Sequence, residues 1–166
     1  VARVVRVSRP YKLSTREFKE RNTTIKTGGV VIGESEPIVI AGPCAVENEE
    51  QLMSTAKLVK EQGAKILRGG AFKPRTSPYS FRGMGVQGLK LLAKAGERFG
   101  MPVVTEVMSP EDVGMVASYA DILQIGTRNA QNFNLLEAVG KVDKPVLLKR
   151  GFSSSYEEWL LAAEWV

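Results

Sequence analysis

The sequence predicts a parallel α/β fold of the (β/α)8 barrel type, with about the first five β/α units present. Three observations lead there. First, five short apolar runs alternate with helical patterns: "PIVIAG" (37–42), "AKILRGG" (64–70), "PVVTEV" (102–107), "DILQIG" (121–126) and "PVLLKRG" (145–151). Val/Ile/Leu-rich runs suit strands buried on both faces, and strand–helix–strand repeats joined by short loops make parallel sheets. Second, the residue best suited to chemistry in each unit stands at or just beyond the strand's C-terminal end: Cys44, Arg68, Glu106, Arg128 and Lys149. A barrel sets its chemistry around that rim, whereas an open doubly wound sheet concentrates it at one crevice. Third, a full barrel takes eight units in ~250 residues, and the 166-residue chain offers five, its last helical pattern stopping at "AAEWV". The expectation is an N-terminal portion of a barrel. A complete five-stranded domain would have to account for an exposed strand edge and an uncapped apolar helix end.

Taken in order, "RVVRVSRPYKL" (3–13) alternates apolar and cationic residues up to Pro10, as a short strand entering a linker would. "TTIKTGGVVIGE" (23–34) reads as a hairpin turning at Gly28–Gly29. A helix is expected from Asn48 to about Gln62, with Gly63 at its C-terminal cap. The next is "GLKLLAKAGERFG", closed by Gly100. "SPEDVGMVASYA" has Ser109 at the N-cap, Pro110 after it and acids in the first turn. "NFNLLEAVGKV" follows the fourth run, and "SSSYEEWLLAAEWV" spaces Ser155 and Glu158 as a capping box. The chain divides into a basic arm, residues 1–26, and a hairpin with barrel units, residues 27–166.

Composition is that of a globular protein, 43% hydrophobic and 25% charged. No apolar run approaches the ~20 residues that span a bilayer, no cleavable leader is recognised, and the single cysteine excludes an internal disulfide. A cytoplasmic protein is expected, with no membrane partner. The net charge of +5 is uneven: residues 1–26 carry eight Lys/Arg and two Asp/Glu, and the remainder carries fifteen and sixteen. Nucleic-acid binding is the sharp reading of such an arm, but its charges are scattered among Val and Leu with little aromatic interleaving. A solvated, half-packed connector with no nucleic-acid partner is expected.

The strand ends supply Arg68, Lys73, Arg75, Arg128, Lys149 and Arg150. Alternation along the strand turns Arg150 away from its neighbour Lys149. The others stand where they can converge on one mouth. Arginine gives planar, bidentate donors to phosphate or carboxylate, and lysine gives a point charge. Four or five such cations in one cleft repel one another unless a highly charged anion sits among them, or unless each pairs with a rim carboxylate. Gly69 and Gly70 let the loop approach a ligand, and Pro74 stiffens the backbone between Lys73 and Arg75. Glu106 beside the cluster either orients an Arg or Lys or positions a water for proton transfer. Cys44, after a Gly-Pro turn, is either a buried inert thiol or a metal ligand. The sequence contains no histidine, so a Cys/His site is not completed within it.

Several long strings resemble one family: "AGPCAVEN", "KILRGGAFKPRTSPYSFRGMG", "VVTEVMSPEDV", "ILQIGTRNAQNFNLL" and "PVLLKRGF". They look like 3-deoxy-D-arabino-heptulosonate 7-phosphate (DAHP) synthase, closest to its shorter microbial subtype, over about residues 37–166. "VVRVSRPYKLSTREF" also resembles the exit of a small regulatory domain that some members carry before the barrel. The sister octulosonate phosphate synthase shares a related barrel but differs around the KPRT region. The resemblance implies a metal-dependent, aldol-type condensation of phosphoenolpyruvate with erythrose 4-phosphate, the first step of the shikimate pathway.

Residue by residue, the resemblance implies that Arg68, Lys73, Arg128 and Lys149 bind the phosphate and carboxylate of phosphoenolpyruvate. Arg75 and Thr76 would hold erythrose 4-phosphate. Cys44 would be one of four ligands to a divalent metal (Mn, Fe, Co or Zn), and Glu106 would sit near the water that attacks C2. Lys149 and Glu106 are the catalytic candidates. Thr127, also expected to touch substrate, stands where close relatives usually have alanine. The family's remaining metal ligands, a His, a Glu and an Asp, lie on later strands. A homo-oligomer, often a tetramer in the family, is implied as well. The alternative is a degenerate half-barrel that binds phosphometabolites or a protein partner without catalysis.

Overall fold

The computed structural model describes residue 4 and residues 6–166. The strand expected over 3–13 falls partly outside them; residues 6–8 are irregular, and bends and a turn follow between residues 9 and 13. Their polar groups are satisfied locally: the Ser8 N–H and hydroxyl donate to the Glu17 carboxylate at 2.9 and 2.8 Å. The arm is also tied to the far end of the chain, where the Ser14 N–H and hydroxyl donate to Glu164 Oε1.

The expected hairpin is present as β1 (Ile25–Thr27) and β2 (Val30–Ile32), paired antiparallel around Gly28–Gly29. The five apolar runs then supply β3 (Ile40–Ala41), β4 (Ile66–Arg68), β5 (Val103–Glu106), β6 (Ile122–Ile125) and β7 (Val146–Leu148). These form one parallel sheet in the order β3-β4-β5-β6-β7. Each strand lies beside its neighbour in sequence, so every crossover steps the same way. Right-handed crossovers then put all the helices on one face and leave the other to curl inward. A doubly wound sheet would reverse its order at one point. The result is a half-barrel with a hairpin before it.

The helices are α1 (Glu49–Glu61), α2 (Val86–Phe99), α3 (Val113–Ala117), α4 (Phe133–Gly140) and α5 (Tyr156–Ala163). Local chemistry sets their ends. Asn48 accepts the Gln51 N–H at the start of α1, Gly100 closes α2 in the left-handed region, and Asn132 accepts the Leu135 N–H at the start of α4. The Ser155/Glu158 capping box starts α5. The third helix is shorter than its pattern: a 3-10 turn, Pro110–Asp112, precedes α3. Ser109 does not cap the backbone there, because its hydroxyl donates to Asp112 Oδ2 instead.

Alternation along the strands sorts the core into two clusters. Leu67, Val103, Leu123 and Ile125 face outward and pack with Leu52, Leu89, Leu92, Leu135 and Leu136 of the helices. Ile66, Val104 and Ile122 face inward and pack against Ile40, Leu147 and the hairpin residues Val30 and Ile32. The hairpin thus fills the lower part of the curled sheet, and only the strands' C-terminal ends line an open mouth. Leu123→Ala, at a fully buried position, is expected to cost about 2–5 kcal/mol in urea unfolding. The same deletion at Leu58, 57% exposed on α1, is expected to stay within about 0.5 kcal/mol. Equal losses would contradict this assignment of the core.

Candidate active site

The mouth is built by strand periodicity. On β4, β5 and β6 an apolar residue of the inner cluster is followed two positions on by a polar one: Ile66 by Arg68, Val104 by Glu106, Ile122 by Gln124. Leu147 is likewise followed by Lys149, whose N–H donates to Ile125 O at 3.0 Å just beyond β7. The same face that is core below is therefore charged above.

Two loops complete the site. The segment 72–85 arches from β4 to α2 and is braced across its base: the Lys73 N–H donates to Arg82 O at 2.9 Å and the Gly85 N–H to Ala71 O at 3.0 Å. Within it, Arg75 Nε donates to Phe81 O at 3.0 Å, which anchors the guanidinium by one edge. After β6, a 3-10 turn over Thr127–Asn129 raises Arg128 over the mouth. Arg128 Nη2 donates to Thr76 Oγ1 at 3.4 Å, and its guanidinium lies 5.8 Å from the centre of the Phe152 ring. This contact joins the two loops.

All nine residues singled out from the sequence, Cys44, Arg68, Lys73, Arg75, Thr76, Glu106, Thr127, Arg128 and Lys149, line one cleft of about 580 Å³. Arg150 turns away and stacks on Tyr156 at 5.4 Å. Gln124, Ser77, Ser80 and Phe152 also line the cleft and were not singled out. For Gln124 the signal was present: it is a polar residue inside an apolar run, two places after Ile122.

Rim ion pairs do not neutralise the cations. Among the described residues the salt bridges are Lys57–Glu61, Lys94–Glu49 and Lys141–Glu137, all on the surface. Lys73 is only 7% exposed, yet among the described residues its Nζ donates to the Cys44 carbonyl alone, at 2.8 Å. Gly70 makes this possible, since a methyl group there would meet Lys73 Cδ at 2.6 Å and Cys44 O at 2.7 Å. Glu106 is 6% exposed. Its Oε2 accepts from Gln124 Nε2 at 3.4 Å, and among the described residues its Oε1 has no partner. Burial holds the carboxyl above its usual range, against the opposing pull of Lys73, Lys149, the Gln124 bond and Arg68. Gly126 lies directly under this carboxyl, where any side chain would strike it. Glu106 makes no ion pair with an Arg or Lys, so a simple salt-bridging role does not describe it.

Cys44 is exposed at the rim, which removes the buried, inert reading. The Lys73 ammonium beside it lowers its thiol pKa, aided by Arg68 and Arg75 and opposed by partial burial. A thiolate is the form that ligates metals. Among the described residues, however, no three His, Cys, Asp or Glu side chains lie together as a metal site. Cys44 by itself is one donor, and these residues do not make a complete site.

The model of the DAHP synthetase I family matches residues 14–166. The chain belongs to that family. It is 56% identical over its full length to phospho-2-dehydro-3-deoxyheptonate aldolase of Thermotoga maritima and covers 49% of that protein. The crystal structure of the Thermotoga maritima enzyme superimposes with a TM-score of 0.91, over 96% of this chain and 47% of that one. A 2-dehydro-3-deoxyphosphooctonate aldolase of Desulfatibacillum aliphaticivorans is 39% identical over 128 residues, 72% of this chain and 47% of that protein. The chain thus spans about half the length of the curated relatives it matches.

The cysteine environment gives a direct test. The pH dependence of Cys44 alkylation by iodoacetamide is expected to report a thiol pKa below that of a free cysteine, and Lys73→Met is expected to raise it. An unshifted pKa in the variant would remove Lys73 as the cause.

Proposed function

We propose that the chain contributes the phosphoenolpyruvate-binding half of an enzyme that condenses phosphoenolpyruvate with erythrose 4-phosphate and water to DAHP and inorganic phosphate. The observation that carries this is the set of five cations in one cleft without carboxylate partners, one of them the buried Lys73. A ligand with both phosphate and carboxylate groups supplies the missing negative charge at two points.

In this reading Arg68, Lys73, Arg128 and Lys149 hold the phosphate and carboxylate of phosphoenolpyruvate. Arg75, fixed by the Phe81 carbonyl, and Thr76 hold erythrose 4-phosphate. Thr127 lines the wall between them. C3 of phosphoenolpyruvate attacks the aldehyde carbon, whose oxygen takes up a proton. Water adds at C2, the Glu106 carboxylate receives the water's proton, and inorganic phosphate leaves with cleavage of the C2–O bond. Lys149 and the arginines stabilise the charge that develops on these oxygens. A divalent metal, as the resemblance implies, would take Cys44 as one donor and needs others beyond the described set. The KPRT sequence supports heptulosonate over octulosonate chemistry. Residues 1–26 serve as a connector, consistent with the Ser14–Glu164 bonds. The protein works as a cytoplasmic homo-oligomer. No helix among the described residues is long and apolar enough to cross a membrane.

Phosphate release from phosphoenolpyruvate and erythrose 4-phosphate tests the reading in the full-length natural protein that carries this chain. Arg128→Ala is expected to raise KM for phosphoenolpyruvate and to lower kcat/KM by on the order of 100-fold. Unchanged kinetics would remove Arg128 from the site. The isolated 166-residue chain is expected to be inactive even with added divalent metal, because one donor holds such an ion poorly. Turnover by that chain would contradict this, whereas binding without turnover in the longer protein would favour the non-catalytic half-barrel.

A further inference from the structure

Gln124 takes part in no function assigned above, yet it is the third member of the polar layer on the inner face. It is 6% exposed and sits on β6 directly across from Glu106 in the strand register. Among the described residues its Nε2 alone donates a hydrogen bond to the Glu106 carboxylate, at 3.4 Å to Oε2. The opposite oxygen, Oε1, is buried without a partner among them. Gly126 leaves room for that oxygen and for nothing larger.

We propose that Gln124 is a positioning residue: its carboxamide tethers Oε2 of Glu106 while Oε1 is seated over Gly126, and the carboxylate is so fixed at the cleft wall as the acceptor of a water's proton. The inference rests on the catalytic reading of Glu106 given above. The chemistry of an amide suits the task. A cation in the same place would form a strong ion pair and hold the carboxyl ionised, making it a poor base. An apolar side chain would leave a buried carboxylate free to rotate toward the nearest positive charge. Arg68 on β4, Lys73 on the 72–85 loop and Lys149 just beyond β7 all act on Glu106 through space. A neutral donor from β6 fixes the group among them without neutralising it. A carboxamide also cannot lose its proton donor at any working pH, so the tether survives changes that would remove one supplied by a titrating group.

Gln124→Met keeps the volume and deletes the donor. In the full-length protein it is expected to lower kcat at least tenfold, with KM for both substrates within about twofold, since the lost interaction matters to the transition state. The acid limb of the kcat–pH profile is expected to move upward by roughly half a unit to one unit, the size of one lost hydrogen bond to the carboxylate. Gln124→Glu gives a second, isosteric variant. Two adjacent carboxyls share a proton, so the tether is present at low pH and is lost as pH rises. This variant should therefore lose activity at a lower pH than the wild type does. A Gln124→Met enzyme with unchanged kcat and pH limb, or one whose loss lies in KM alone, would overturn the proposal. If the wild-type protein makes no DAHP, the functional reading falls. Carbon-13 NMR titration of Glu106 in the same protein then decides the tether: a raised pKa in Gln124→Met supports it, and an unmoved one contradicts it.

Discussion

Mutual repulsion among five positive side chains at one mouth is the constraint on which the site depends. Two unit charges ~6 Å apart at an effective dielectric of ~20 repel by about 3 kcal/mol, and five cations share this cleft. The fold bears this because the five charges stand on four separately anchored supports. Arg68 ends a central strand, Lys149 follows β7, Lys73 and Arg75 ride a braced loop, and Arg128 rides a 3-10 turn. The apolar inner cluster and the hairpin hold those supports together from below. The repulsion is thus stored as a demand for an anion, and the stability that offsets it lies elsewhere in the molecule.

Sequential strand order is what makes the convergence possible. Because each β/α unit lies beside the next, strand ends far apart in sequence come to a common rim. Alternation then divides each strand into an outward residue for the helices, an inward apolar residue for the lower layer and an inward polar residue for the mouth. One two-residue period accounts for the core, the plug and the chemistry together.

The fold class and the convergence of the chosen residues on one cleft were legible for this reason. Apolar runs bounded by Gly and Pro marked the strands, and charged residues at the ends of those runs marked the rim. The spacing of Ser155 and Glu158 was enough to place a helix start. Other features were not legible, because they depend on contacts between distant segments. The Arg128–Thr76 bond joins loops 52 residues apart, and nothing in either string announces it. The 3-10 turn at Pro110–Asp112 replaced an expected helical turn because the Ser109 hydroxyl found Asp112. Gln124 was passed over because an amide inside an apolar run carries no charge to draw attention, although its register opposite Glu106 gives it a place in the site. The arm's alternating pattern read as a strand, but no neighbouring strand pairs with its described residues.

Calorimetric titration with phosphoenolpyruvate, at low and at high ionic strength, tests the central claim most directly. An uncompensated cationic cleft predicts saturable binding of one phosphoenolpyruvate per chain. That binding should weaken markedly as salt rises and should far exceed binding of pyruvate or of inorganic phosphate alone. Absence of binding, or equal affinity for phosphoenolpyruvate and inorganic phosphate regardless of salt, would contradict it.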